Sequence, residues 1–307
     1  MERKVLVIVG PTCSGKTEVA VKLAKRLQSE IISADSRQIY KYLDIGTAKH
    51  DKSQLSEVKH HLVDELSPEE EYNVSRFEVE SLKIINDLLD KNRIPVVAGG
   101  SGLYIKAIVD GIFDFVETDP DYRNRLQKIR MEHGNDALYE MLLEVDPVSA
   151  SKMLPQNYKR IIRALEVFYI TGIPIWKHHE IHQRNSDIVF LQFGLDWDRT
   201  ILYKNIELRV DDMVSKGLVN ETNSLKYNGF HPGMNAINTV GYKEIFDYLD
   251  GNITLERAIE LIKRNTRRFA KRQLTWFRAD KRITWVKIDS NEKLNDAPNL
   301  ILKSINL

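Results

Sequence analysis

The chain has 307 residues, 42% of them apolar and 29% charged, with a formal net charge of +1. This is the composition of an ordinary globular protein long enough for two domains, and near neutrality means that any affinity for nucleic acid must come from local patches. A single cysteine, Cys13, excludes an intrachain disulfide and a zinc cluster built on thiolates. No stretch has the length of a membrane span, and the first apolar run is too short for a signal peptide, so the chain reads as cytoplasmic, without a membrane segment; a monomer is expected, although the sequence does not determine the oligomeric state.

Val5 to Val9 is a continuous β-branched run and predicts a buried strand. Gly10, Pro11, Thr12, Cys13, Ser14, Gly15, Lys16 and Thr17 follow, and Val19, Ala20, Leu23, Ala24 and Leu27 then recur at helical spacing. Strand, glycine-bracketed loop, Lys-Thr and helix in that order make a P-loop. Its backbone N–H groups form a nest at a helix N-terminus, Lys16 adds a full charge, and the Thr17 hydroxyl is placed to reach a magnesium ion. The site therefore calls for a polyphosphate. A second strand over residues 30–35 ends in Asp35. If the sheet is parallel, Asp35 and the dense polar turn Ser36-Arg37-Gln38 lie beside the P-loop. That turn reads equally well as a site or as a solvated turn with Asp35 capping it. His60-His61 has no acid at ligand spacing and is expected to pack or hydrogen-bond rather than bind metal. Phe77 to Leu89 predicts a helix. Pro95 to Ala98 predicts a buried strand running into Gly99-Gly100-Ser101-Gly102, with no acid where ATP-hydrolysing P-loop proteins hold magnesium.

From Thr118 the strand-like runs stop. Residues 119–186 read as a helical insertion, starting at Asp119-Pro120 and carrying Arg123 and the segment Lys159-Arg160-Ile161-Ile162-Arg163. Ile188 to Leu195 reads as a strand returning to the sheet. The fold class is thus α/β: a P-loop-type parallel sheet core over residues 1–118 and 187–307, flanked by helices, with a helical insertion domain. Near the end, residues 263–282 hold many cations around Phe269, Trp276 and Phe277. A solvated basic face is the ordinary reading of such a run; few acids in the run and interleaved aromatics favour contact with a phosphate backbone.

Taken together, the P-loop, the run Asp35 to Tyr40, Asp44-Ile45-Gly46-Thr47-Ala48-Lys49, His60 to Asp64, Gly99 to Tyr104, Arg160 to Val167, Val240-Gly241-Tyr242 and Ala270 to Arg278 resemble, in order, the tRNA dimethylallyltransferases, in their bacterial form. Two positions depart from the usual pattern. Ser101 stands where threonine is usual and keeps a hydroxyl; Cys13 stands where alanine is common.

The resemblance implies transfer of a dimethylallyl group from dimethylallyl diphosphate to the exocyclic amine of the adenine beside the tRNA anticodon, with Mg2+ as cofactor. The P-loop would then grip an isoprenoid diphosphate rather than ATP, in keeping with the missing acid. Lys16 and the loop N–H groups would stabilise the leaving diphosphate. Arg209 would add a second cation by its match to the family helix. The adenine amine needs a base as the new bond forms, and Asp35 is the candidate. Ser101 would bond the reacting region. Ser36, Arg37 and Gln38 would read the base, while Arg123 and Lys159 to Arg163 would hold the anticodon stem-loop. The rival classes are a P-loop kinase of a small molecule and an RNA-binding nucleotide switch.

Overall fold

A computed structural model describes residues 2–49, 56–112, 117–181 and 187–306. The chain divides into two compact units. One comprises Met1–Ile108 and Asp187–Leu307, and the other Val109–Ser186, which begins ahead of the composition change at Thr118.

The larger unit is built on a parallel sheet. Strands β1 (Arg3–Val9), β2 (Ile31–Ser33), β3 (His60–His61), β4 (Val96–Gly99), β5 (Ile188–Trp197) and β6 (Thr284–Ile288) lie in the order β3-β2-β4-β1-β5-β6. β1 is central, flanked by β4 and β5, and its Val5 to Val9 are fully buried. A strand covered on both faces needs no polar alternation, which is why this run is apolar throughout. Register places the site. Val9 pairs with Gly99 and Ser33 with Ala98, so the loops leaving β1, β2 and β4 emerge side by side at the carboxyl edge.

The helices of this unit are α1 (Lys16–Arg26), α2 (Val74–Leu89) and α3 (Gly102–Asp110) in the first segment. In the second segment they are α8 (Arg199–Ser215), α9 (Leu218–Tyr227), α10 (Tyr242–Leu249), α11 (Leu255–Ala279) and α12 (Asn291–Ser304). α1 turns Val19, Ala20, Leu23 and Ala24 into the core, the i, i+4 stripe its sequence prescribes. His60 and His61 are used for hydrogen bonds, as expected: His61 Nε2 lies 2.6 Å from Glu30 Oε2 and His60 Nδ1 lies 2.7 Å from the Val58 carbonyl. Among the described residues no helix is long and apolar enough to cross a membrane.

The smaller unit is helical: α4 (Pro120–Val145), α5 (Pro147–Ala150), a 3₁₀ turn (Pro155–Asn157), α6 (Tyr158–Thr171) and α7 (Ile175–Ile181). Asp119 caps α4 by accepting the Tyr122 N–H at 2.9 Å, with Pro120 in the first turn, where its missing N–H costs nothing. Leu126, Leu138, Leu142, Ile161, Ala164 and Leu165 form its core.

Candidate active site

The P-loop joins β1 to α1 and is held from three sides. Gln273 of α11 accepts the Thr12 N–H at 2.8 Å and donates to the Gly100 carbonyl at 3.0 Å, tying the loops after β1 and β4 together. Trp197, at the end of β5, donates its indole N–H to the Ser14 carbonyl at 3.0 Å. Arg209 of α8 reaches the Thr12 hydroxyl at 3.4 Å and the Cys13 sulfur at 3.6 Å. A Cβ on Gly99 would stand 2.1 Å from the Ala34 carbonyl oxygen, so this close approach of two backbones needs glycine. Cys13 takes a left-handed φ of 63°, the kind of turn that directs successive N–H groups inward.

Lys16 donates to the Pro11 carbonyl at 2.6 Å. Desolvation lowers its pKa to about 8, with Asp35 opposing the shift and Arg209 adding to it. A cation bonded to a neutral carbonyl and depressed by burial is stabilised by an arriving polyanion. Neither Lys16 nor Arg209 forms an ion pair with a carboxylate among the described residues.

Asp35 caps its turn and also lines a cavity. Its Oδ1 accepts the N–H groups of Arg37 at 2.9 Å and Gln38 at 3.4 Å, capping the turn, and its side chain lines the cavity beside the P-loop. The Ser101 hydroxyl accepts the Ser36 N–H at 3.1 Å, and Ser101 N–H donates to the Ala34 carbonyl at 3.2 Å. Arg37 donates to the backbone carbonyl of Asn235, and burial pulls its guanidinium below the ordinary range. Gln38 Nε2 donates to the carbonyls of Thr47 and Ala48.

Two cavities, of about 330 and 260 Å³, share a wall made by Thr12, Cys13, Asp35, Thr47, Gly100, Arg209, Phe269 and Gln273. The smaller holds Cys13 to Thr17 and Gln38. The larger holds Ser36, Arg37 and Ser101 and has an apolar wall of Ile206, Val210, Met213, Val240 and Ile262. A phosphate-binding loop thus meets an apolar hollow across one carboxylate. Among the described residues no group of three or more His, Cys, Asp or Glu side chains is placed to hold a metal. The loop offers the Thr17 hydroxyl with Asp35 in the same cavity. That sparse oxygen set suits Mg2+, which takes most of its ligands from phosphate and water.

The residues expected to bind RNA in the smaller unit separate into two kinds. Lys159 and Arg160 are exposed. Ile161 and Ile162 are buried in that unit's core, so their side chains do not belong to an RNA-facing surface; the correction follows from the apolar stripe of α6. Arg123 and Arg163 both bond Glu166, whose side chain has no exposed area, at 2.9 and 2.6 Å. Burial works to raise the Glu166 pKa, and the hydrogen bonds from Arg123, Arg163 and the Asp119 N–H outweigh it, holding the carboxyl below its usual range.

The basic run on α11 is also divided. Lys263 pairs with Asp211 at 2.6 Å and Arg267 with Glu207 at 2.7 Å, a matched i, i+4 register between α11 and α8. Arg278 pairs with Asp196 and Arg282 with Asp280. The expectation that acids scarcely balance this run therefore fails: Asp211, Glu207 and Asp196 stand on other elements, and Asp280 lies within the run itself. Arg268, Lys271 and Arg272 are exposed and form no ion pair among the described residues, and Phe269 and Trp276 stand exposed on the same helix. Gln273, which fastens the P-loop, escaped the sequence reading because the surrounding cations drew the interpretation of that helix. Its only signal was an uncharged amide fixed inside a basic motif.

A family model described as IPP transferase matches residues 38–280. A tRNA dimethylallyltransferase of Acetivibrio thermocellus is 46% identical over 94% of this chain and 94% of its own length. The solved full-length tRNA isopentenylpyrophosphate transferase from Bacillus halodurans superposes with a TM-score of 0.72 at 39% identity, covering 99% of this chain and 97% of that one. A solved eukaryotic dimethylallyltransferase acting on tRNA gives 0.85 at 28% identity, covering 99% and 79%. With that family model matched over most of its length, this chain belongs to the IPP transferase family.

Proposed function

We propose that the chain transfers a dimethylallyl group from dimethylallyl diphosphate to the exocyclic amine of the adenine adjacent to the anticodon of a tRNA. The observation that carries this reading is the shared wall of the two cavities. Asp35 lines both the compartment of the P-loop and the compartment with the apolar wall. The diphosphate lies in the P-loop, where the N–H nest, Lys16 and Arg209 take up the charge of the leaving oxygens. The bond from the allylic carbon to the diphosphate oxygen breaks, the amine nitrogen bonds that carbon, and the amine proton passes to Asp35. Thr17 would hold Mg2+, which when bound supplies further neutralisation of the diphosphate. Ser101 and the Asp35 cap keep the carboxylate-bearing turn in place.

The adenine must leave its stack to enter the cavity, and this costs least in a single-stranded loop such as an anticodon loop. Exposed Lys159 and Arg160, with Arg268, Lys271 and Arg272, are the cations available for RNA phosphates. Arg123 and Arg163 hold their unit together through Glu166, and Arg123, with its side chain 40% exposed, is also open to an RNA phosphate.

Incubating the protein with unmodified tRNA and labelled dimethylallyl diphosphate, without ATP, should place label on the adenine beside the anticodon. Asp35→Asn should slow single-turnover transfer by roughly 10²-fold or more at unchanged RNA affinity. Near-normal transfer by that variant would remove Asp35 from the base role. A requirement for ATP with loss of its terminal phosphate would favour a kinase, and tRNA binding without any transfer a nucleotide switch.

A further inference from the structure

Two motifs remain outside this chemistry: Asp44 to Lys49, and Val240-Gly241-Tyr242. Glu221, a residue of α9 that belongs to neither, joins them. Its Oε2 accepts the N–H groups of Asp44 at 3.1 Å and Ile45 at 2.8 Å; its Oε1 accepts the Gly46 N–H at 3.0 Å and the Tyr242 hydroxyl at 2.6 Å. Four donors on one carboxylate hold three successive backbone units in a single conformation. Tyr242 is fully buried, and burial together with the charge of Glu221 raises its pKa, so the phenol stays a donor. Its ring lies so close to Gly46 that a Cβ there would stand 2.3 Å away. From inside, Lys49 bonds the Tyr40 carbonyl, Asp44 and Asp64.

The next carbonyls after this clamp, Thr47 and Ala48, are the acceptors for Gln38 Nε2 at 3.3 and 3.4 Å. Thr47 also lines both cavities. We propose that Glu221 is a positioning residue: it seats the backbone of residues 44–46, and through Thr47 and Ala48 fixes which way the Gln38 amide faces. With Nε2 committed to two carbonyls, the Gln38 oxygen, which accepts the Ser33 hydroxyl at 3.4 Å, keeps its second lone pair for a ligand donor. An acceptor at that position takes the N–H of an exocyclic amine and opposes a carbonyl oxygen, which favours adenine over guanine. This inference rests on the transferase reading above.

The test compares the unaltered protein with Glu221→Gln, Gln38→Ala and the double variant, using anticodon stem-loops carrying adenine or, as competitors, guanine at the target position. Glu221→Gln sets an NH2 against N–H donors. It should lower kcat/KM for the adenine RNA about tenfold, chiefly through KM, and narrow the discrimination against the guanine competitor. The KM for dimethylallyl diphosphate should stay within about twofold. The double variant should be no slower than Gln38→Ala, because the clamp acts through that amide. Tyr242→Phe, which removes one donor, should move the same quantities the same way by less, and serves if Glu221→Gln melts below the assay temperature. Multiplicative losses in the double variant, or equal weakening of both substrates, would overturn the role of Glu221 while the transferase reading stands. Absence of transfer by the unaltered protein would overturn both.

Discussion

The cations of the P-loop and those of the smaller unit differ in what holds them. Lys16 bonds the Pro11 carbonyl and Arg209 a hydroxyl and a thiol, all neutral groups. Arg123 and Arg163 converge on Glu166, a carboxylate without exposed area. The first arrangement bonds no carboxylate and costs stability until an anion arrives; the second ties two guanidinium groups to one buried carboxylate, which fixes both side chains and neutralises one of the two charges. A cation's partner, and not its place in a basic run, therefore decides whether it serves a ligand.

The contrast can be broken most strongly at Glu166. Replacing it with Ala leaves two guanidinium groups without their acceptor and should cost the smaller unit about 3 kcal/mol. Melting should show this while the affinity of the larger unit for dimethylallyl diphosphate stays unchanged. The converse experiment is Lys16→Ala. Donor affinity should fall about thirtyfold, as expected for a lost charge-assisted contact, yet melting of the free protein should not fall, because a desolvated ammonium is removed. A loss of stability in this variant would show that Lys16 is a structural cation after all.

The pH dependence sharpens the same point. Lys16 titrates at about 8 in the folded chain against an ordinary 10.5. Between those values the unfolded chain binds the proton and the folded one does not, so stability of the free protein should rise with pH across this window. Donor affinity should do the opposite, falling towards about tenfold per pH unit above 8 as the charge is lost. Isothermal titration from pH 7 to 9 should show it, with proton uptake on binding; Lys16→Ala should flatten the profile.

The smallest effects belong to α11, where both kinds of cation share one helix. Arg268→Ala with Lys271→Ala should weaken tRNA binding and flatten the slope of log affinity against log salt by about 1.5 units if both meet phosphates. Lys263→Ala with Arg267→Ala, which removes two exposed ion pairs to α8, should leave that slope unchanged and lower stability by about 1 kcal/mol or less. Equal slopes in the two double variants would erase the distinction between paired and free cations on this helix.

Much of the fold was legible because its signals are local. The β-branched run of Val5 to Val9 predicts β1, the glycine-bracketed loop with Lys-Thr predicts the phosphate site, and Asp119-Pro120 predicts the start of α4. The apolar stripe of α6 is equally legible in the sequence, three cations set around it, and Ile161 and Ile162 belong to the stripe and not to the cations. What sequence alone determined is the set of groups available: a nest, an ammonium, a carboxylate at a strand end and an excess of cations late in the chain.

Only the tertiary structure decided how those groups are paired. Sheet order brings Asp35, Ser101 and the P-loop to one edge by inserting β4, which follows both in the chain, between β2 and β1. Helix packing sets Glu207 and Asp211 against Arg267 and Lys263, Gln273 against Thr12, and Glu221 against residues 44–46. Each pairing joins residues dozens to hundreds of positions apart, and hydrogen bonds and ion pairs act over only a few ångströms. No spacing within a single segment encodes which acid will stand beside which cation; that follows from the register of the sheet and the faces its helices bury.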